Sequence, residues 1–276
     1  MDPSPQVADS AEEAGLVDKA RAGDEAALAL LVETYAPRVL RFARKLCGPD
    51  AEAEDVMQQT LLSVMSHIGE FRGDSHFASW LYSIARSHCI KNRTRGAAAH
   101  ASESLEDGER ALSSPSELAP DESVSREQLE KALSMAIDAL EPVQREVLVL
   151  RDIEGLSAPD VAQTLGISVD AVKSRLHRAR KTLRTQLTPW FEQSEPSAAC
   201  PDVVDLLSRY QEGEITSEAC HAMQAHVDDC AHCAKRCHSL RTVLSACSAT
   251  PVPVLSEAVK SAVREQVRRS LRRQRG

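Results

Sequence analysis

The stretch from residue 141 to residue 187 constrains the fold of this chain more than any other feature. Apolar residues recur there at helical spacing, and Gly155 and Gly166 interrupt them. Ser157 and Ser168 each stand just before a new helical run, where a serine hydroxyl caps free backbone N–H groups. The pattern predicts a short helix and a long helix joined by a glycine turn, which is a helix-turn-helix.

The outer face of the long helix in this stretch is strongly basic. Ala162, Val172 and Leu176 supply the small and apolar side chains that the inner face of the motif requires. The outward residues predicted to contact nucleic acid are Lys173, Ser174, Arg175, His177, Arg178 and Lys181. Such a face fits the major groove, where it reads base edges and neutralises phosphates. The alternative is a solvated basic helix in an ordinary helical bundle. The glycine turn, the helix caps and the charge all agree with DNA binding, so we favour that interpretation.

Helical periodicity also runs through residues 24–95, with breaks at 47–50 and 71–75. Aromatic residues make up only 3% of the chain, which suits small Ala- and Leu-rich helical domains. We therefore predict an all-α protein: two helical domains joined by a flexible linker, a small helical Cys/His domain and a basic amphipathic C-terminal helix. The predicted segments are 15–97, the linker 98–127, 128–188, 198–249 and 254–276.

Charge and hydropathy exclude several classes of protein. A net charge of −8 argues against a uniformly basic nucleic-acid binder, but residues 175–184 and 260–275 are locally basic. The sequence contains no run of about 18 apolar residues, so no membrane span is predicted. The acidic, polar N-terminus lacks the pattern of a signal peptide, so we expect a cytoplasmic protein. No Ser/His/Asp set, phosphate loop or paired acidic site is evident, so no catalytic residue and no enzyme is predicted.

Three stretches of this chain resemble the extracytoplasmic function (ECF) sigma factors of bacterial RNA polymerase. They are residues 171–180 (AVKSRLHRAR), 55–62 (DVMQQTLL) and 71–86 (FRGDSHFASWLYSIAR). The resemblance implies that 15–97 is sigma region 2 and 128–188 is sigma region 4, with core RNA polymerase and promoter DNA as partners. It also implies that the basic helix reads the promoter −35 element, and that Asp55, Gln58 and Gln59 contact the polymerase.

The same resemblance makes residues 71–86 the segment that reads the promoter −10 element. An opened base is held by a loop with an aromatic ring and hydrogen-bond donors, and Phe71 and Ser75 lie in such a loop. Phe71 is equally suited to the core, whereas Phe77 and Trp80 are predicted to be core residues. The remaining candidates for this DNA contact are Arg86, Ser87, Lys91 and Arg93.

Six of the eight cysteines crowd between residues 200 and 247. Cys200, His226, Cys230 and Cys233 have the types and spacing of a tetrahedral Zn²⁺ site, since a Cys-x2-Cys pair follows a His by one helical turn. This part of the chain is similar to the zinc-finger fold of zinc-containing anti-sigma factors. The metal alternatively serves only to hold a domain of about fifty residues together.

Further cysteines exceed the four ligands that a structural site needs. Cys220, Cys237 and Cys247 are therefore candidate ligands for a second site or for exchange, and thiolates favour Cd²⁺ or copper as an inducing metal. A fused sigma and Cys-rich chain resembles the CorE-like metal-responsive ECF sigma factors, which implies that the metal switches the sigma regions on and that a separate anti-sigma factor is unnecessary. Two alternatives stay open: a redox-sensing sigma factor using the same cysteines, and a helix-turn-helix DNA-binding regulator with a structural zinc domain.

Overall fold

The computed structural model describes residues 11–47, 50–100, 126–191 and 200–274, and all of their regular elements are helical. The α-helices are α1 (Ala11–Arg21), α2 (Glu25–Leu46), α3 (Asp50–His67), α4 (Phe77–His100), α5 (Arg126–Asp138), α6 (Pro142–Leu148), α7 (Ala158–Leu165), α8 (Val169–Gln186), α9 (Val203–Gln211), α10 (Ser217–Asp229), α11 (Ala231–Ser248) and α12 (Glu257–Gln274). Short 3-10 turns lie at Ile68–Glu70 and Thr188–Trp190, and one π-helical turn lies at Val149–Ile153. The all-α prediction is confirmed.

Helices α1 to α4 form the N-terminal domain. Asp24 caps α2 by accepting hydrogen bonds from the N–H groups of Ala26 and Ala27, at 2.9 and 3.1 Å. This cap fixes the start of a long helix whose apolar face packs on α1, α3 and α4. The two predicted breaks are confirmed, because α2 ends at Leu46 and a loop precedes Phe77.

Helices α5 to α8 form the helix-turn-helix domain, in which the caps predicted from the sequence are present. Ser157 accepts from the N–H of Asp160, and Ser168 accepts from the N–H of Ala171, both at 3.2 Å. Gly166 adopts a φ of 67°, a left-handed conformation that glycine reaches without a Cβ penalty. The chain therefore turns sharply between α7 and α8.

Helices α9 to α11 form the Cys/His module, which has a small core of its own around Val203, Leu207, Met223 and Leu240. The far end of α11 leaves that core, and its Val243 packs into the core of the two preceding domains. The basic C-terminal helix is α12, and it packs along α2 and α3. No described helix is long and apolar enough to cross a membrane.

Most of the predicted linker, residues 101–125, lies outside the described residues. Helix α4 continues to His100 and α5 begins at Arg126, so the helices reach to both edges of that stretch. The domain boundaries of the sequence analysis otherwise stay predictions.

Candidate nucleic-acid interface and metal centre

The basic face of α8 lies against the Cys/His module. Two ion pairs and one histidine–carboxylate contact join them: Lys173 with Glu214 at 3.5 Å, Lys181 with Asp202 at 3.4 Å, and His177 with Asp205 at 2.9 Å. Ser174 and Arg178, two other predicted DNA-reading residues, are exposed, and Arg175 is half-buried. Half of the six predicted −35 residues therefore pair with carboxylates of the same chain.

Arg180 forms the buried centre of this contact. Its guanidinium donates to Asp152 at 2.6 and 2.9 Å, and to Glu212 of the Cys/His module at 3.0 Å. It also donates to the carbonyl oxygen of Ser208 at 3.3 Å. Burial by itself would lower the pKa of Arg180, but the carboxylates of Asp152 and Glu212 outweigh it and raise that pKa. The cation is therefore fixed and fully paired.

The aromatic residue of the predicted −10 loop, Phe71, packs against the start of α4. Phe71 is buried, with its ring centroid 5.2 Å from that of Trp80 and 5.9 Å from that of Phe77. The role of Phe71 as a DNA contact stays a prediction, but in this arrangement it is a core residue and not an open stacking surface. The physical reason is that the three rings fill one another's apolar surface. The predicted core position of Phe77 is confirmed, and Trp80 is half-buried beside it.

Ser75 is half-buried and lines a cavity of about 490 Å³. Helix α1 forms one wall of the cavity, and Ser157 and Asp160 at the start of α7 form another. The side chain of Asp160 accepts from Ser79 at 2.9 Å and lies 3.1 Å from His76. The start of the helix-turn-helix is therefore anchored to the −10 loop.

The other predicted −10 residues lie along α4. Arg86 forms an ion pair with Glu146 of the helix-turn-helix domain at 3.2 Å, whereas Ser87, Lys91 and Arg93 are exposed. Arg86 is thus occupied by a protein partner in this arrangement, and the other three are accessible.

The predicted polymerase-binding residues lie on α3, where Asp55 is exposed and Gln58 and Gln59 are half-buried. Helix α12 packs along α3 and the neighbouring α2, with its Val263 and Val267 buried. At its side, Arg264 donates to Glu33 of α2 at 2.6 Å. The C-terminal helix therefore contacts the N-terminal domain.

A buried ion pair, which the sequence analysis did not foresee, joins the N-terminal and helix-turn-helix domains. Glu154, directly after the π-helical turn, accepts two hydrogen bonds from Arg41 at 2.8 and 2.9 Å and one from Tyr82 at 2.5 Å. Arg41 also donates to the carbonyl oxygen of Thr250 at 2.7 Å. Burial, together with the Glu154 carboxylate, raises the pKa of Tyr82 well above its usual value, so this phenol stays a donor.

The four predicted zinc ligands lie together at the base of the Cys/His module. Cys200, His226, Cys230 and Cys233 each offer one ligand atom, and these atoms lie within 4.8 Å of one another. The Cys200 and Cys230 sulfurs are 3.7 Å apart. Two thiolates on one tetrahedral zinc ion are about 3.8 Å apart, given Zn–S bonds of about 2.3 Å. The donor set and its spacing therefore suit a zinc ion.

The local structure explains this convergence and the character of the thiols. Cys230 lies between α10 and α11, while His226 in the last turn of α10 is 3.2 Å from the Cys233 sulfur. A hydrogen bond from the backbone N–H of Cys233, with a smaller one from Cys200, lowers the pKa of Cys230. Burial raises the pKa of Cys233. These hydrogen bonds thus favour the thiolate of Cys230, the form that binds metal or reacts with oxidants.

The structure does not bring the additional candidate ligands to this cluster. Cys237 is buried in the core of the Cys/His module, and Cys247 is buried against the two preceding domains. Burial raises the pKa of both thiols, so they behave as small apolar side chains. Neither they nor Cys220 on α10 belongs to the cluster around Cys200 in this structure, and their role in a second site or in ligand exchange stays a prediction.

The structure joins Cys47 and Cys89 as a disulfide between the end of α2 and α4, with Cα atoms 5.1 Å apart. Both are buried.

Comparison with known proteins agrees with this domain order. Residues 31–98 match the family model described as "Sigma-70 region 2", and residues 130–183 match "Sigma-70, region 4". Residues 200–234 match the model described as "Putative zinc-finger". The three models thus cover the N-terminal domain, the helix-turn-helix and the four-ligand cluster.

Two curated relatives cover the first two domains. The RNA polymerase sigma-H factor of Pseudomonas aeruginosa is 32% identical over 65% of this chain and 95% of its own length. The ECF RNA polymerase sigma factor SigE of Mycolicibacterium smegmatis is 32% identical over 64% of this chain and 68% of its own length. The solved structure of the sigma factor RpoE with the anti-sigma factor NepR from Bartonella quintana is 28% identical, covers 58% of this chain and 93% of that chain, and has a TM-score of 0.45.

The fold and these matches define a helical, DNA-binding regulator of transcription initiation. The chain belongs to the ECF sigma factors, with a zinc-finger-like domain following sigma region 4. Sigma factors bind core RNA polymerase and promoter DNA, and they are regulatory proteins and not enzymes.

Proposed function

We propose that this sigma factor directs promoter-specific transcription initiation and that metal binding to its Cys/His module controls its activity, as in the CorE-like group. The observation that carries the proposal is the position of the metal ligands beside the DNA-reading helix. Cys200 is two residues from Asp202, which caps α9 and pairs with Lys181 of α8. A change at the metal site would therefore be transmitted directly to α8.

A resident Zn²⁺ ion suits the arrangement described above. The four donors have zinc-like spacing while α9 lies on α8, so zinc would hold the module in the form that places α9 on α8. An inducing ion with other preferences, Cd²⁺ or copper, would draw the thiolates into a different geometry and move α9. This is how an inducing metal would switch the sigma regions on, in the cytoplasm and without a separate anti-sigma factor.

A redox sensor is the second candidate, and the chemistry of Cys230 favours it. Its lowered pKa and the 3.7 Å separation from the Cys200 sulfur suit oxidation of the pair, which would release zinc. The same movement of α9 would follow, with an oxidant in place of the inducing metal. A repressor that binds duplex DNA without polymerase is not favoured, since the chain belongs to the sigma factors.

The experiment that tests metal control combines zinc analysis with run-off transcription by core RNA polymerase. Substituting Cys233→Ser removes one ligand, so bound zinc falls and transcription no longer responds to Cd²⁺, Cu(I) or Cu(II). Cys220→Ser is the matched control, because this thiol is in the same module but outside the cluster, and it keeps zinc and response. An unchanged metal response in Cys233→Ser would contradict the proposal, and a response to oxidant alone would favour the redox sensor.

A further inference from the structure

Acidic residues of the Cys/His module follow the basic residues of α8 in order along the helix. Lys173, His177 and Lys181 are spaced by four residues, so they lie about 6 Å apart on one face of α8. Their partners run in the opposite direction: Glu214 beyond the end of α9, then Asp205 within it, and Asp202 at its start. A row of negative charges therefore lies where a row of phosphates would lie in a DNA complex.

The apolar side of α9 explains how the row is held. Val203, Val204 and Leu207 are buried in the core of the Cys/His module, so the carboxylates on the other side point towards α8. The first of these carboxylates, Asp202, is fixed by its capping bond to the N–H of Asp205 at 3.3 Å. The acidic row is thus presented by a folded module and not by a loose tail.

The pairs on this face are only partly buried, and the pair of Lys181 with Asp202 is the most exposed. The side chains of Lys181 and Asp202 are 58% and 44% exposed, and exposed ion pairs contribute little to stability. Stability of the contact comes instead from the buried network of Arg180, Asp152 and Glu212. The outer carboxylates are therefore better explained as groups that cover the basic face of α8 than as groups that hold two domains together.

We infer that the acidic row of Asp202, Asp205 and Glu214 is an internal mimic of the DNA backbone, which competes with the promoter −35 element for α8. The inference rests on the proposed function, which it deepens by naming what covers the DNA-reading helix. Release of α9 exposes Lys173, His177 and Lys181 together, because all three lose their partners when one helix moves. The module thereby blocks promoter recognition electrostatically as well as sterically.

Charge reversal tests the competition in the zinc-loaded full chain. The variant Asp205→Lys with Glu214→Lys repels α8, and its affinity for a short random-sequence DNA duplex is measured by fluorescence anisotropy. We expect binding at least about tenfold tighter than in the control, with a salt dependence steeper by about two units, because Lys173 and Lys181 each gain a phosphate. The control, Glu218→Lys with Glu265→Lys, makes the same charge change at two exposed residues that do not pair with α8.

Equal affinity in the reversal variant and the control would overturn the inference. A second test adds Lys173→Gln and Lys181→Gln to the reversal variant, which returns the affinity to that of the control. A gain that survives these substitutions comes from the new lysines and also overturns the inference. The milder pair Asp205→Asn with Glu214→Gln disturbs folding less and gives a smaller gain in the same direction; no gain there, in a variant that keeps its zinc, counts against the inference too.

The same assay separates this inference from metal control. Wild-type protein is measured with zinc, after chelation, and with Cd²⁺ or copper. If wild-type DNA binding and transcription ignore the metal while the reversal variant gains affinity, the competition stands and metal control fails. If the metal changes transcription while the reversal variant equals its control, the metal acts by another route and the mimic is wrong.

Discussion

Two of the interfaces between the domains of this protein are built differently. Between the N-terminal and helix-turn-helix domains, Glu154 has a fully buried side chain and is bonded by Arg41 and Tyr82. Between α8 and the Cys/His module, a buried network around Arg180 is surrounded by outer pairs that are partly or largely exposed to solvent. Desolvated, fully bonded charges are costly to separate, whereas exposed ones exchange partners easily. Because part of the charge at the second interface is exposed, we expect that interface to open more readily than the first.

The largest effect is expected at the buried interface. Substituting Arg41→Ala leaves the Glu154 carboxylate buried without its main partner, so we expect the free energy of unfolding to fall by about 3–5 kcal/mol. Denaturant unfolding followed by circular dichroism measures the change. Arg44→Ala, at an exposed position on the same helix, is the control and should cost far less. Equal losses in the two variants would show that the buried ion pair has no special role.

A smaller effect is expected where the Cys/His module meets Arg180. Glu212 is nearly buried and pairs with both Arg180 and Arg151, at 3.0 and 3.2 Å. Glu212→Gln removes its charge but keeps its shape, so we expect a loss of about 1–3 kcal/mol and faster proteolysis of the module. Glu218→Gln, on exposed α10, is the control. A loss as large as that of Arg41→Ala would contradict the difference between the interfaces.

The smallest effect is expected at the exposed pair. Lys181→Gln should change the free energy of unfolding by less than about 1 kcal/mol, and high salt should abolish even that, because exposed charges are screened. Unfolding at low and high ionic strength gives both values. A loss that is large and indifferent to salt would mean that the α8 contact holds the domains permanently.

The sequence predicted the local features of the fold well. Helix caps and the glycine turn depend on residues within one or two turns, so Ser157, Gly166 and Ser168 were assigned correctly. The four clustered ligands were found for a related reason, since three of them lie within one short stretch, residues 226–233. Helix caps, glycine turns and closely spaced metal ligands can therefore be recognised in a single sequence.

The partners of the charged residues were not predictable in the same way. Arg41 and Glu154 are 113 residues apart, and nothing local to either one names the other. Nothing in the local sequence shows that the carboxylates of Asp202, Asp205, Glu212 and Glu214 face the basic residues of α8. Phe71 was assigned to DNA contact or core equally well, because only tertiary packing places it beside Trp80.

The most direct test of the account is run-off transcription by core RNA polymerase with the full chain and with a chain ending at Trp190. The shorter chain retains the two domains that match the sigma-H relative, and that match spans 95% of the relative's length. We predict that the full chain is weakly active with zinc and is activated by Cd²⁺ or copper, while the shorter chain is active under every condition. Identical responses of the two chains to metal would contradict control by the Cys/His module.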